Sequence, residues 1–210
     1  NEKKLFFYRL YKTYFLYNFY KSMKLYSLKD TIDYDKITLA EPSRLQGGNS
    51  YYSKIQLDNN QFLFQLPRCS TKNGIVKTNK TTYSDLLFHS KNTKFIEFIE
   101  DLERNIKDKL YEKTSLWFHN ELEMDDIDYF FNSLLKPYKG VNYLFRTYIP
   151  NNTKSGITKN QRLQIYDEDE IEKSISDVEN NDIITIIHFK GIKFTSSSFP
   201  LDIELKQVMI

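Results

Sequence analysis

The chain is 210 residues long, with 30 cations against 28 acids and 40% hydrophobic residues, and a chain of this size buries roughly two-thirds of its unfolded surface. One cysteine, Cys69, excludes an internal disulfide framework and a thiolate zinc site, and an intracellular setting is the default. The 16 Tyr and 16 Phe beside a single alanine, Ala40, fit an AT-rich coding sequence and by themselves say nothing of function.

Residues 1–22 hold nine aromatics (Phe6, Phe7, Tyr8, Tyr11, Tyr14, Phe15, Tyr17, Phe19 and Tyr20), five cations and one acid, Glu2. Arg9, Lys12, Asn18 and Lys21 interrupt the run of about 18 apolar residues that a membrane span needs. No small-residue cleavage site follows, which argues against a secretory signal. With Met23 next in line, residues 1–22 are expected to be an aromatic and basic leader outside the native protein, and residues 23–210 a single α+β domain. Without its five cations and one acid the net charge turns from +2 to −2, so the basic balance belongs to the leader.

Lys36–Leu39 and Tyr51–Leu57 are β-branched or aromatic and read as strands, with Gln46-Gly47-Gly48-Asn49 as a turn between them. Asp58-Asn59-Asn60 joins Tyr51–Leu57 to Gln61–Leu66 as a hairpin, because Asn tolerates the positive φ of tight turns. Pro67 ends it, and the residues through Lys80 read as a polar connection to a strand at Tyr83–Phe88. Thr93 is a candidate cap, and Phe95, Ile96, Phe98, Ile99, Leu102, Ile106 and Leu110 recur at helical spacing, predicting a helix over Lys94–Lys113. Asp125–Phe131 predicts a short amphipathic turn with Ile127, Phe130 and Phe131 inward. Strands return at Tyr143–Ile149, Leu163–Tyr166, Ile183–Phe189, Ile192–Thr195 and Leu201–Ile210. No internal repeat and no Pro-, Gly- or Ser-rich linker divides the chain.

Catalytic patterns are sparse. His119-Asn120-Glu121-Leu122-Glu123-Met124-Asp125-Asp126 gathers carboxylates near a histidine and is a candidate divalent-cation site for phosphodiester chemistry, but it has no zincin-like spacing and reads more simply as a solvated acidic loop. Asp167-Glu168-Asp169-Glu170 lacks the glycine and terminal Glu of a calcium loop and reads as a polar hairpin tip. Gln46-Gly47-Gly48 has no following Lys-Ser or Lys-Thr and is not a phosphate-cradling loop. Cys69, beside Arg68 and Lys72, has no histidine near in sequence to act as its base. Trp117 reads as core in preference to a stacking platform. No cofactor and no enzymatic activity are expected.

Charge segregation is the stronger signal. Pro67–Ser84 contains Arg68, Lys72, Lys77 and Lys80 with no acid, and Asn132–Tyr166 contains Lys136, Lys139, Arg146, Lys154, Lys159 and Arg162 with no acid. Thr93–Phe131 carries eleven acids against five cations, and Asp167–Asp182 carries eight against Lys173 alone. If the basic segments meet on one face, Arg68, Lys72, Lys77, Lys80, Lys136, Lys139 and Arg146 can track a phosphate backbone while Tyr83, Tyr138, Tyr143, Phe145 and Tyr148 stack bases. The alternative is that the opposed segments neutralise one another across the fold and the aromatics fill the core.

Asp182–Ile210, with a strand, the glycine of His-Phe-Lys-Gly, an aromatic-bearing strand and a last strand containing Gln-Val, resembles the end of the barrel domain in viral single-stranded-DNA-binding proteins of the short-tailed-phage type. Ser43–Leu57 with Gln46-Gly47-Gly48, Gln65–Asn79 with Pro-Arg-Cys-x-x-Lys-x-Gly-Ile-Val-Lys-Thr, and Leu116–Glu123 with Trp-Phe-His-Asn-Glu-Leu-Glu resemble a family of uncharacterised proteins of large nucleocytoplasmic DNA viruses. The second resemblance spans most of residues 23–210 and implies a viral origin. Neither brings a catalytic motif.

The fold expected is therefore α+β, a mainly antiparallel β-barrel or sandwich of oligonucleotide-binding type with one main inserted helix. The function expected is sequence-independent binding of single-stranded nucleic acid in viral genome replication or packaging, in the host cytoplasm, a viral factory or the virion. Partners would be the nucleic acid, a second copy of the chain and other viral replication or virion proteins, with no membrane. Two alternatives stand beside it: a virion structural or assembly protein without catalytic activity, and a metal-dependent nuclease built on His119–Asp126.

Overall fold

Strands dominate the computed structural model, which describes residues 24–150 and 163–210; the leader and the cations Lys154, Lys159 and Arg162 lie outside the described residues. The order is β1 (Leu25–Ser27), β2 (Ile37–Leu39), β3 (Ser43–Arg44), β4 (Tyr51–Leu57), β5 (Asn60–Gln65), β6 (Ser70–Lys77) and β7 (Thr82–His89). Three helices follow, α1 (Thr93–Tyr111), α2 (Thr114–Trp117) and α3 (Met124–Phe130). Then come β8 (Phe131–Asn132), β9 (Leu135–Tyr138), β10 (Asn142–Ile149), β11 (Gln164–Tyr166), β12 (Ile184–Phe194) and β13 (Phe199–Met209). This is a mixed α+β chain, mostly sheet with few helices.

Asp58 and Asn59 take φ values of 54° and 59°, the paired positive values that suit a two-residue hairpin, and so fold β4 back on β5. The spine of the sheet is the antiparallel pair β12 and β13, paired from Ile184↔Met209 to Ile192↔Leu201 with register shifts between Ile186 and Ile187 and between Phe189 and Gly191. On its other edge β12 pairs Ile186–Phe189 with β5 and Gly191–Phe194 with β4. β13 meets β10 in parallel at Tyr148↔Glu204, β10 runs antiparallel to β7, and β7 to β6. Cys69, just before β6, exchanges two main-chain hydrogen bonds with Ile183 at 2.9 and 2.7 Å, which brings the ladder back to the start of β12.

Period-two alternation sorts each strand between two faces. The inner face carries Phe62, Phe64, Leu86, Phe88, Phe145, Ile187, Phe189 and Ile203, all fully buried. Helix α1 closes this face with Phe95, Phe98, Ile99, Leu102, Ile106 and Leu110. Phe98 stacks on Phe64 with centroids 4.3 Å apart, and Phe95 lies 4.2 Å from Phe88 and 5.8 Å from Phe145. The helix thus joins the β5/β12 and β7/β10 halves of the core.

Three expectations are corrected, and one strand, β9, is added to those expected. The helix begins at Thr93 with Asn92 as cap residue and no side-chain cap bond, so Thr93 is its first helical residue and not its cap. Residues 70–77, expected as a connection, form β6: the free edge of β7 imposes pairing on a polar stretch, with a bulge between Thr71 and Ile75 at Gly74, whose φ is +57°. β9 contains Pro137, tolerated because the strand pairs only with β10. Finally, Ile183–Phe189 and Ile192–Thr195 belong to one strand. Gly191 continues it because the Tyr52 ring lies over it: a β-carbon there would sit 2.6 Å from Tyr52 Cζ and collide with the Ser53 carbonyl.

Candidate nucleic-acid interface

The outer face is built by the same alternation. On β10, Leu144, Arg146 and Tyr148 point away from the core, and their partners on β7 are Leu87, Asp85 and Tyr83. On β9, Lys136 and Tyr138 stand opposite Leu144 and Asn142 and share their side. Across the β10–β13 contact the face continues through Glu204 to His188, and through Asp202 and Lys190 to Tyr52 and Lys193 on β4 and β12. Tyr138, Tyr83, Tyr148 and Tyr52 therefore lie on one side of a curved sheet.

Cations are interleaved with these rings. Lys72 Nζ, from β6, lies 4.9 Å from the Tyr138 ring centroid, and Lys139 Nζ lies 5.3 Å from it. Arg146 Cζ lies 4.2 Å from the Tyr83 centroid. Its Nε and Nη2 donate to Asp85 Oδ1 and Oδ2 at 2.7 and 2.8 Å, a bidentate pair that keeps the guanidinium protonated and fixes its plane. Lys190 pairs with Asp202 at 3.6 Å and Glu204 at 3.2 Å, and Lys206 with Glu204. Burial pushes the Glu204 carboxyl up, but Lys206 and Lys190 more than offset it and leave Glu204 below its ordinary value. Burial, with Lys206 and Lys190 nearby, lowers His188 to about 4 against the opposing pull of Glu204.

Between Tyr148 and Tyr52 the face sinks into a groove of about 540 Å³ lined by Leu45, Tyr52, Tyr148, Lys190, Lys193, Pro200, Leu201 and Asp202. Tyr52 donates its hydroxyl to Asp202 Oδ2 at 3.0 Å across β12, and Tyr148 is 38% exposed. The dimensions admit a planar ring with the cations at its rim.

Of the residues expected at a nucleic-acid site, the structure brings Lys72, Tyr83, Lys136, Tyr138, Lys139, Arg146 and Tyr148 to this face. Tyr143 and Phe145 have the opposite parity: Phe145 is fully buried and Tyr143 packs on the core, so neither is placed to stack a base on this face. Lys77 pairs with Thr82 and shares the inward parity of that strand position, while Lys80 sits in the β6–β7 turn and Arg68 in the β5–β6 connection. Tyr52, Lys190, Lys193 and Asp202 were missed because charge was read in blocks. The alternation Ile187-His188-Phe189-Lys190 held the signal, since it places His188 and Lys190 opposite two core residues.

A second cavity of about 330 Å³ lies on the reverse side of β4, lined by Tyr51, Trp117, Phe118, His119 and Phe194 among others. Trp117 is half-buried against Phe194 at 6.2 Å. Asp126 is engaged as the capping partner of Glu123 at the start of α3, and among the described residues no three His, Cys, Asp or Glu side chains gather as a metal site. Asp167 forms the polar hairpin tip expected, accepting from the Asp169 and Ile171 amides and pairing with Lys173 at 2.7 Å. Cys69 is buried, and burial followed by the charge of Asp182 pushes its thiol far up, opposite to what a nucleophile needs. Among the described residues no helix is long and apolar enough to cross a membrane.

No family model and no curated protein matches the chain, so the resemblance to proteins of large nucleocytoplasmic DNA viruses stands on its motifs alone. Solved structures do match. The single-stranded DNA-binding protein from bacteriophage Enc34 is 10% identical, with a TM-score of 0.44 over 82% of this chain and 88% of that one. The same protein in complex with single-stranded DNA gives 10% identity and a TM-score of 0.42, over 82% of this chain and 94% of that one. The single-stranded DNA-binding protein gp2.5 encoded by bacteriophage T7 is 12% identical, with a TM-score of 0.46 over 71% of this chain and 86% of that one.

Proposed function

We propose that the chain binds single-stranded nucleic acid along the outer face of β9, β10, β7, β13, β12 and β4, largely without regard to sequence, and does no chemistry on it. The observation that carries this reading is the row of Tyr138, Tyr83, Tyr148 and Tyr52 on one side of the sheet, interleaved with Lys72, Lys136, Lys139, Lys190 and Lys193. Rings on a sheet stack unpaired bases of any identity, and cations beside them follow the phosphates. In this reading the ladder β12-β13-β10-β7-β6, joined again at Cys69 and Ile183, is a five-stranded barrel of oligonucleotide-binding type with α1 as its plug. Its setting, viral genome replication or packaging, rests on the motif resemblances.

The test is fluorescence anisotropy with labelled oligothymidine across a salt series. Affinity is expected to fall with a log–log slope of about −0.7 per neutralised phosphate. Tyr148→Ala is expected to cost about 1–3 kcal/mol with the slope unchanged, because stacking releases no ions. Lys136→Ala is expected to shallow the slope. An unmodified protein with no salt-dependent binding to any single-stranded oligonucleotide at about 50 mM salt overturns the reading.

A further inference from the structure

Asp202 is out of character on this face. A carboxylate repels a phosphate backbone, yet this one lines the groove between two exposed tyrosines and is one-third accessible, with 34% of its side chain open. Both of its side-chain partners, the Tyr52 hydroxyl at 3.0 Å and Lys190 Nζ at 3.6 Å, engage the same oxygen, Oδ2. Among the described residues no hydrogen bond reaches Oδ1. The fold thus fixes the carboxylate from one side and leaves its second oxygen as an acceptor in a groove whose other walls, Leu45, Tyr148, Pro200 and Leu201, are mainly apolar.

The position of Tyr52 shows that this arrangement is built into the sheet. Its ring can cross β12 to reach Asp202 only because residue 191 is glycine, since a β-carbon there would overlap the ring. Lys190 and Lys193 also line the groove, and the pairing of Lys190 with Asp202 partly offsets the carboxylate charge.

We infer that the groove is a base subsite selective for nucleobases with an exocyclic amino group: a base stacked on Tyr148 donates that N–H to Asp202 Oδ1. Cytosine, adenine and guanine carry such a donor, whereas uracil and thymine have a carbonyl oxygen at the exocyclic position, which a carboxylate repels, and keep only the ring N3–H as a donor. The inference rests on the single-strand-binding reading above and adds a preference at one position to a surface that is otherwise tolerant.

The experiment compares oligodeoxycytidine with oligodeoxyuridine of equal length at one salt concentration, a pair that differs at the ring edge and not in its backbone. Oligodeoxycytidine is expected to bind about tenfold more tightly, the worth of one hydrogen bond to a charged acceptor. Asp202→Asn, similar in shape, is expected to erase the difference by weakening oligodeoxycytidine toward oligodeoxyuridine. Asp202→Ala, which removes the acceptor outright, is expected to erase the preference as well and serves if Asp202→Asn does not fold. Equal affinity for the two oligomers overturns the inference and leaves the binding reading intact. A preference that persists in Asp202→Asn also overturns it. Absence of binding to both oligomers removes the binding reading itself, and this inference with it.

Discussion

Arg146 has much of its charge matched before any ligand arrives. Asp85 holds it through two hydrogen bonds while its guanidinium covers Tyr83, so in the proposed reading it braces Tyr83 more than it contacts phosphate. His188 shows the opposite economy: its half-buried ring stays neutral, with Nδ1 lacking a hydrogen-bond partner among the described residues. Its pKa falls from the ordinary 6.5 to about 4. Between those values the unfolded chain binds a proton that the folded chain does not, so the contribution is whole above about pH 6.5 and lost as pH drops toward 4. The loss amounts to about 2–3 kcal/mol. Denaturant unfolding from pH 7 to pH 4 is expected to show this decline, and His188→Gln to flatten it. Equal slopes in the two proteins would show that burial, with Lys206 and Lys190 nearby, does not hold the ring neutral against the pull of Glu204.

Elements differed in how openly the sequence announced them. Helix α1 was legible because its buried residues recur with its own period, and the β4–β5 hairpin because Asp58-Asn59 supplies the backbone its turn needs. Strands β6 and β9 were not, since Lys72, Asn73 and Gly74 in one and Pro137 in the other are depleted in strands, and their pairing is imposed by the partner strands β7 and β10. The weight of α1 can be measured. Leu102 is fully buried between the two halves of the core, and Leu102→Ala is expected to lower the unfolding free energy by about 2–5 kcal/mol. A change close to zero would mean that the helix is not what joins those halves.

For the molecule as a whole, the candidate face was only half visible in the sequence. The acid-free stretches contained the β7, β9 and β10 side, because there charge and aromatic residues are contiguous along the chain. The β4, β12 and β13 side was hidden: Tyr52 lies far in sequence from Lys190, Lys193 and Asp202, and the sheet register brings them together. Block composition also placed Tyr143 and Phe145 with their neighbours, whereas pleating sends alternate residues to opposite faces.

The junction where Cys69 meets Ile183 makes the chain its own gauge of breathing. Two amide hydrogen bonds hold that seam, and the lone cysteine of the protein is sealed beneath it, 6% exposed. A thiol-exchange reagent can reach this sulfur only when the seam parts, so its rate of modification reads local opening without any engineered label. Modification is expected to run at least about a hundredfold slower than in denaturant, corresponding to about 3 kcal/mol for opening. Because the proposed strand path lies on the outer surface, saturating oligonucleotide should leave that rate nearly unchanged. A marked acceleration would mean that the molecule must unfasten at this edge to admit its ligand.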